Sequence, residues 1–331
     1  MEEPTLATIT QLNLSMAPAK VVETALQLGI FSAIAQGHAR VPEIARATRA
    51  SDRGTRMLVD ALTALTLLRK DGDRYALPAA SAQYLVRESP DYLGYMLETG
   101  RLYQSWLGLA EAVRSGKPVV GEEQDHAEEF FSTLVRTLHV TNREPARRAA
   151  VAVAGRAAPG ALRVLDVACG SGVWGIAIAE ANPNARITAL DFPGVLKVTR
   201  EYVKRRGLEA RYDYLEGDLA SVDCGEARFD LAVLGNICHS LGAEASRSLF
   251  TRLHRALAPQ GRLAIVEVIP NEERTGPVYA ALFALNMLLH TSQGGTYTLR
   301  EYTGWLEGAG FASVTTADIG LNSPMIIAGK A

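Results

Sequence analysis

Apolar residues recur at two different periods along this chain. Up to about residue 160 they fall three and four apart, as on one face of a helix. Within that part, AKVVETALQLG stops at Gly29 and IFSAIAQG at Gly37. VPEIARAT reads as a short helix, and Ser51 can cap the helix DRGTRMLVDALTALTLL. LRKDGDRYALP then offers two short strands around Asp71-Gly72. Helix, turn, helix and hairpin over residues 1–100 predict a winged-helix-like domain. Residues 101–160 predict an amphipathic helical connector, with Arg143, Arg147 and Arg148 near its end and a break at Pro159-Gly160.

Over residues 161–331 short apolar runs alternate with helical stretches. LRVLDVA, ARITALD, ARYDYLEGD, FDLAVLGN and GRLAIVEV read as strands. GVWGIAIAEANP, PGVLKVTREYVKRRG and SRSLFTRLHRALAP read as helices between them. This alternation predicts an α/β domain with a doubly wound, mainly parallel sheet. ASVTTADIG and SPMIIAGKA lie close enough to add an antiparallel pair after the last helix.

Composition narrows the functional classes. A length of 331 residues suits two domains, and a net charge of −2 argues against a partner bound mainly through its phosphates. Residues 1–100 hold ten Lys/Arg against eleven Asp/Glu, and the helix that would enter a DNA groove offers only Arg53 and Arg56 beside Asp52 and Asp60. A ligand-sensing DNA-binding regulator is therefore the remote alternative, and a scaffold for dimerisation the favoured reading. Cys169, Cys224 and Cys238 form no CxxC pair, which points to a reduced intracellular protein. The first residues are acidic rather than basic, and no apolar run is long enough to span a bilayer. The expected location is cytoplasmic, with neither membrane nor nucleic acid as a partner.

The loop after the first strand, Cys169-Gly170-Ser171-Gly172-Val173-Trp174-Gly175, fits G-x-G-x-x-G and shows that a ligand approaches the backbone before a helix begins. A nicotinamide-dependent dehydrogenase fits the loop alone. Three carboxylates favour a different cofactor. Asp166 ends the first strand, where a negative charge repels a pyrophosphate but suits a cationic sulfonium. Asp191 ends the second strand and can accept ribose hydroxyls. Asp218, at the end of the third, can accept an adenine amino group. Three such acids in register suit S-adenosylmethionine.

The chain resembles the class I S-adenosylmethionine-dependent methyltransferases in VLDVACGSG, in Asp191 within ALDFP, in EGDL and in its terminal antiparallel pair. Nearly its whole length further resembles the caffeate and isoflavone O-methyltransferase family, whose bacterial members act on small metabolites. The local matches are ICH at 237–239, VEVIP at 266–270 and MLLHTSQGG at 287–295. The resemblance implies a Rossmann-like methyltransferase sheet and S-adenosylmethionine as methyl donor. It also implies a homodimer whose N-terminal domains intertwine. It places Asp166, Gly170, Gly172, Asp191, Phe192, Asp218, Leu219 and Asn236 at the cofactor, and Met287, Asn286 and His290 at the acceptor.

Methyl transfer to a hydroxyl needs in-line positioning and removal of a proton. A phenol of pKa about 10 is mostly neutral at pH 7, and a neutral histidine is a suitable base. The resemblance makes His239 that base and Glu267 the carboxylate that orients it. The sequence departs from the family pattern at two places. His239-Ser240-Leu241 replaces His-Asp-Trp, and no acid follows Gly294-Gly295 in Thr296-Tyr297-Thr298. These departures leave C-methylation of an activated carbon open, as well as a metal-assisted variant with His239 and His290 as ligands. The favoured expectation has no metal, and an acceptor that is a small hydroxylated, aromatic or polyketide-like metabolite.

Overall fold

The structure is a computed structural model that describes residues 3–97, 100–119, 127–154 and 162–331. The chain divides into two compact units, Met1–Arg101 and Leu102–Ala331.

The first unit contains α1 (Leu6–Asn13), α2 (Met16–Leu28), α3 (Ile30–Ala35), α4 (Val41–Thr48) and α5 (Asp52–Ala64). The hairpin β1 (Arg69–Asp71) and β2 (Arg74–Ala76) follows, then α6 (Ala79–Tyr84) and α7 (Gly94–Leu97). Ser51 caps α5 as its position predicts, its Oγ accepting the Gly54 N–H at 3.1 Å. The core of the unit gathers Ile30, Phe31, Ile44, Val59 and Leu62, all buried. Helix α1 is the exception. It buries none of its residues, and Leu6 and Leu12 are 78% and 70% exposed.

Helices α8 (Gly100–Leu107), α9 (Leu109–Ser115) and α10 (Ala127–Ala154) come next. The expected break at Pro159-Gly160 lies outside the described residues. The sheet of the second unit is then built from β3 (Leu162–Val167), α11 (Val173–Ala181), β4 (Ala185–Asp191), α12 (Pro193–Arg205) and β5 (Tyr212–Glu216). β6 (Phe229–Gly235), α13 (Cys238–Leu241), α14 (Ala243–Ala256) and β7 (Leu257–Val266) continue it. α15 (Val278–His290), α16 (Leu299–Gly308), β8 (Ser313–Ala317) and β9 (Met325–Gly329) complete the chain.

The strand order is β5-β4-β3-β6-β7-β9-β8. β3 to β7 run parallel, and the antiparallel pair β8–β9 closes the β7 edge. Strands buried on both faces need apolar residues at successive positions rather than alternate ones, which is why LRVLDV and LAVLG read as continuous runs. One face packs on α10, α11 and α12 through Ala146, Val153, Ile176, Leu196 and Val203. The other packs on α14 and α16 through Leu249, Phe250, Leu253, Tyr302 and Leu306. Strand order reverses between β3 and β6, the place where such sheets bind ligands. Each of these strands is followed directly by a non-glycine residue of left-handed backbone, Ala168 (φ 50°) and Asn236 (φ 59°). That conformation is costly for residues with a Cβ and turns the chain sharply upward on both sides of the crevice.

The register corrects one expectation. Asp166 pairs with Ala189, whereas Asp191 pairs with Glu216 and Asp218 lies two residues further on. The three carboxylates are staggered along the strands and are not in register.

Candidate active site

The loop between β3 and α11 is held from beneath and from the side. Gly172, with φ 74°, lets the chain turn directly into the first turn of α11. Cys169 N–H donates to the Leu190 carbonyl at 3.0 Å, and Gly170 N–H to Asp191 Oδ2 at 2.9 Å. The Thr199 hydroxyl donates to the Gly170 carbonyl at 2.6 Å. Asp191 Oδ1 accepts the Phe192 N–H at 2.8 Å, so each carboxylate oxygen carries one backbone donor and keeps lone-pair capacity. Burial raises the Asp191 carboxyl pKa, and those two N–H bonds oppose the rise.

Asp166 does not face the crevice. It is 1% exposed, beneath the loop, where its Oδ2 accepts the Gly175 N–H at 2.9 Å. Burial pushes its pKa up to about 8. It shapes the start of α11 from below, and the expected carboxylate beside a sulfonium is not what the fold provides. Asp218 is exposed and turns one oxygen onto the Ala220 N–H at 2.8 Å. Leu219 packs against the core, and its carbonyl is held by the Arg252 guanidinium.

These residues fit S-adenosylmethionine. Asp191 offers hydroxyl acceptors at the end of the second strand, and Phe192 leaves a 53% exposed aromatic face beside it for a base to lie on. Asp218 and Leu219 follow at the end of β5.

On the other side of the crevice the expected base and carboxylate meet. Glu267, just past β7, is buried, and its Oε1 accepts N–H bonds from Ile237 at 2.7 Å and Cys238 at 2.6 Å. Its Oε2 lies 2.7 Å from His239 Nδ1. An ionised carboxylate can only accept, so Nδ1 carries the proton and Nε2 of the neutral ring is left as the acceptor. The His239 carbonyl receives the Gly295 N–H at 2.8 Å. Gly294 lies so close that an added Cβ would stand 2.4 Å from that carbonyl and 2.3 Å from Thr291 Oγ1. The paired glycines thus clamp the backbone of the histidine.

α15 supplies the wall facing His239. Phe283 meets the imidazole edge-on at 4.9 Å and stacks with Tyr279 at 5.7 Å. Met287 is buried at the next turn. His290 Nδ1–H donates to the Asn286 carbonyl at 2.8 Å, which makes Nε2 the acceptor of the Ser105 hydroxyl at 3.0 Å. His290 therefore has no lone pair open for a metal in this arrangement. Among the described residues no group of three or more His, Cys, Asp or Glu is placed to hold one.

Sequence reasoning missed four contributors: Phe283, Tyr279, Ser105 and the Gly295–His239 contact.

Residues 10–87 match the O-methyltransferase dimerisation domain, and residues 147–312 match the O-methyltransferase domain. The chain belongs to the O-methyltransferase family. It is 32% identical over 324 residues to 3-hydroxy-5-methyl-1-naphthoate 3-O-methyltransferase of Streptomyces sahachiroi, covering 95% of this chain and 91% of that relative. It is 30% identical over 329 residues to human acetylserotonin O-methyltransferase, covering 94% of each. PigF of a Serratia strain, solved with S-adenosylhomocysteine, superposes with a TM-score of 0.87 at 25% identity, over 99% of this chain and 100% of that one. The O-methyltransferase fold and its cofactor class are thereby established, and this chain is an S-adenosylmethionine-dependent O-methyltransferase. The winged helix falls within the dimerisation domain, in keeping with its near-neutral charge. Among the described residues no helix is long and apolar enough to cross a membrane.

Proposed function

We propose that this enzyme methylates a hydroxyl on a small aromatic or polyketide-like metabolite, with His239 as the base. The observation that carries the reading is the 2.7 Å pair between His239 Nδ1 and Glu267, which leaves Nε2 basic beside an aromatic wall. Bound S-adenosylmethionine supplies the methyl group as an electrophile on sulfur. The loop at Gly170–Gly172, with Asp191, Phe192, Asp218, Leu219 and Asn236, holds the cofactor. Phe283, Tyr279 and Met287 give a flat apolar face to an aromatic ring, and Asn286 and His290 border it.

His239 Nε2 accepts the hydroxyl proton as the oxygen attacks, and Glu267 stabilises the imidazolium that forms. Such an ordered base is of use to a hydroxyl and of less use to an already activated carbon, so the geometry favours oxygen as the acceptor atom. The acceptor of the Streptomyces sahachiroi relative is a hydroxynaphthoate, a planar phenol of the kind this wall suits. The apolar surface of α1 supports a homodimer, because a second copy offers it a partner.

The test is His239→Ala with a hydroxynaphthoate as probe. Turnover at pH 7 is expected to fall about 10²–10⁴-fold, the usual contribution of a positioned base, with S-adenosylhomocysteine affinity unchanged. Retention of full turnover removes the base assignment.

A further inference from the structure

The glycine loop has one side chain between its two left-handed glycines, that of Ser171, and it points away from solvent: Ser171 is buried. Its Oγ is hydrogen bonded to Nδ1 of His139 at 3.0 Å. His139 lies on α10, is itself buried, and stacks on Tyr202 of α12 with ring centroids 3.8 Å apart and planes 20° from parallel. One turn earlier on α10, Val135 covers the same loop, with its Cγ1 3.3 Å from where a Cβ on Gly170 would stand. Val135 also packs with Val195 and Val198 of α12. Two helices and the loop therefore converge on one imidazole.

We propose that His139 is a positioning residue for cofactor binding: it holds the 170–172 loop in its binding shape through Ser171, from a seat fixed by Tyr202. The loop needs such a tie. Two of its three residues have no side chain, and glycine restricts backbone freedom least of all residues. A loop that samples other shapes when empty binds with an affinity reduced by the fraction of time it spends in the right one. His139 raises that fraction without touching the reacting atoms. The inference rests on the assignment of this loop to the cofactor, so the experiment carries a separate control for that assignment.

The experiment is calorimetric titration of full-length protein with S-adenosylhomocysteine, alongside steady-state kinetics with a hydroxynaphthoate. His139→Phe keeps a ring against Tyr202 but loses the bond to Ser171, and Ser171→Ala loses the same bond from the other side. Each is expected to weaken S-adenosylhomocysteine about five- to twentyfold, the loss of one buried hydrogen bond, and to raise the KM for S-adenosylmethionine with little change in kcat. The double variant is expected to be no worse than His139→Phe alone, because that change already removes the bond Ser171 shares with His139. His139→Asn, whose short amide can still reach Ser171, is expected to recover most of the affinity. Additive losses in the double variant overturn the proposal, as do unchanged affinities in folded His139→Phe and Ser171→Ala. If both variants lose thermal stability but bind as wild type does, His139 is a packing residue and the proposal fails. In the control, Asp191→Ala abolishes binding if the loop is the cofactor site. If binding persists there, the site assignment itself falls.

Discussion

Replacing Glu267 with glutamine tests the site at its narrowest point, because that carboxylate serves two sets of donors at once. One oxygen accepts the Ile237 and Cys238 N–H groups, and the other accepts His239 Nδ1–H. Glutamine has one carbonyl for both tasks. If it stays on the two backbone donors, its amide N–H₂ faces Nδ1 and forces the ring proton onto Nε2. The imidazole is then present, in place and unable to accept a proton from the acceptor. The expected loss is that of a general base, about 10²–10⁴-fold in kcat, or roughly 2.7–5.5 kcal/mol of barrier. The pH profile separates this from unfolding. A phenol of pKa about 10 ionises unaided about tenfold more with each unit of pH from 7 to 9, so the variant should gain rate steeply over that span. The wild type should not follow it. The assay is kcat against pH, with S-adenosylhomocysteine affinity measured in parallel. A variant within about twofold of wild type at pH 7 would falsify the dyad, because no positioned base contributes so little.

Three further outcomes follow from the same geometry. Gly294→Ala should displace the His239 carbonyl and lower kcat, on the order of 10²-fold for a shift of about 1 Å, while cofactor affinity measured by calorimetry stays as in wild type. Asp166 has a folded pKa raised by burial to about 8 from an ordinary 3.8, so the folded protein binds a proton there that the unfolded chain releases. That contribution to stability is full below about pH 4 and is lost as pH rises towards 8. Asp166→Asn, which keeps an acceptor for Gly175 N–H, should flatten the fall of Tm between those values; parallel curves for the two proteins would count against a neutral carboxyl. In α1, Leu6→Glu with Leu12→Glu should shift the protein from dimer to monomer in sedimentation velocity, and an unchanged dimer would place the interface elsewhere.

The sequence made the sheet legible for a physical reason. Parallel strands buried on both faces leave near-unbroken apolar runs, as in β3 and β6, and together with the more polar β4 and β5 the five runs expected as strands are β3 to β7. The glycine loop and Asp191 were readable because they sit at strand ends, where position in the sequence fixes position in the crevice. The roles of His239 and Glu267 came from the family resemblance, and folding brings their side chains to 2.7 Å. Strand ends do not fix depth, however, and so the stagger of the three carboxylates and the burial of Asp166 were missed. α15 was hidden differently. VYAALFALNMLLH is apolar on nearly every face, which erases the helical period, and its start is marked only by Pro277. His139 gave no signal at all. A single histidine in an amphipathic helix becomes meaningful only when folding brings Ser171, 32 positions later in the chain, against its ring.

The bonds that Glu267 makes also bear on how such an enzyme changes its acceptor. The histidine's tautomer and its angle are set by a strand-end carboxylate, by the first N–H groups of α13 and by the Gly294–Gly295 clamp. Of the two stacked rings on α15, Phe283 meets the imidazole edge-on and Tyr279 lies behind Phe283. On the proposed reading, proton removal rests on the strand ends and α13, and acceptor fit on α15. The two meet at Phe283 and at Thr291, which donates to the Met287 carbonyl and accepts the Gly294 N–H. Tyr279, one ring removed from the imidazole, is the wall position that can be exchanged for a longer, bulkier or more polar acceptor while the base keeps its aim. A lineage of such enzymes is free to wander among substrates without reinventing its chemistry.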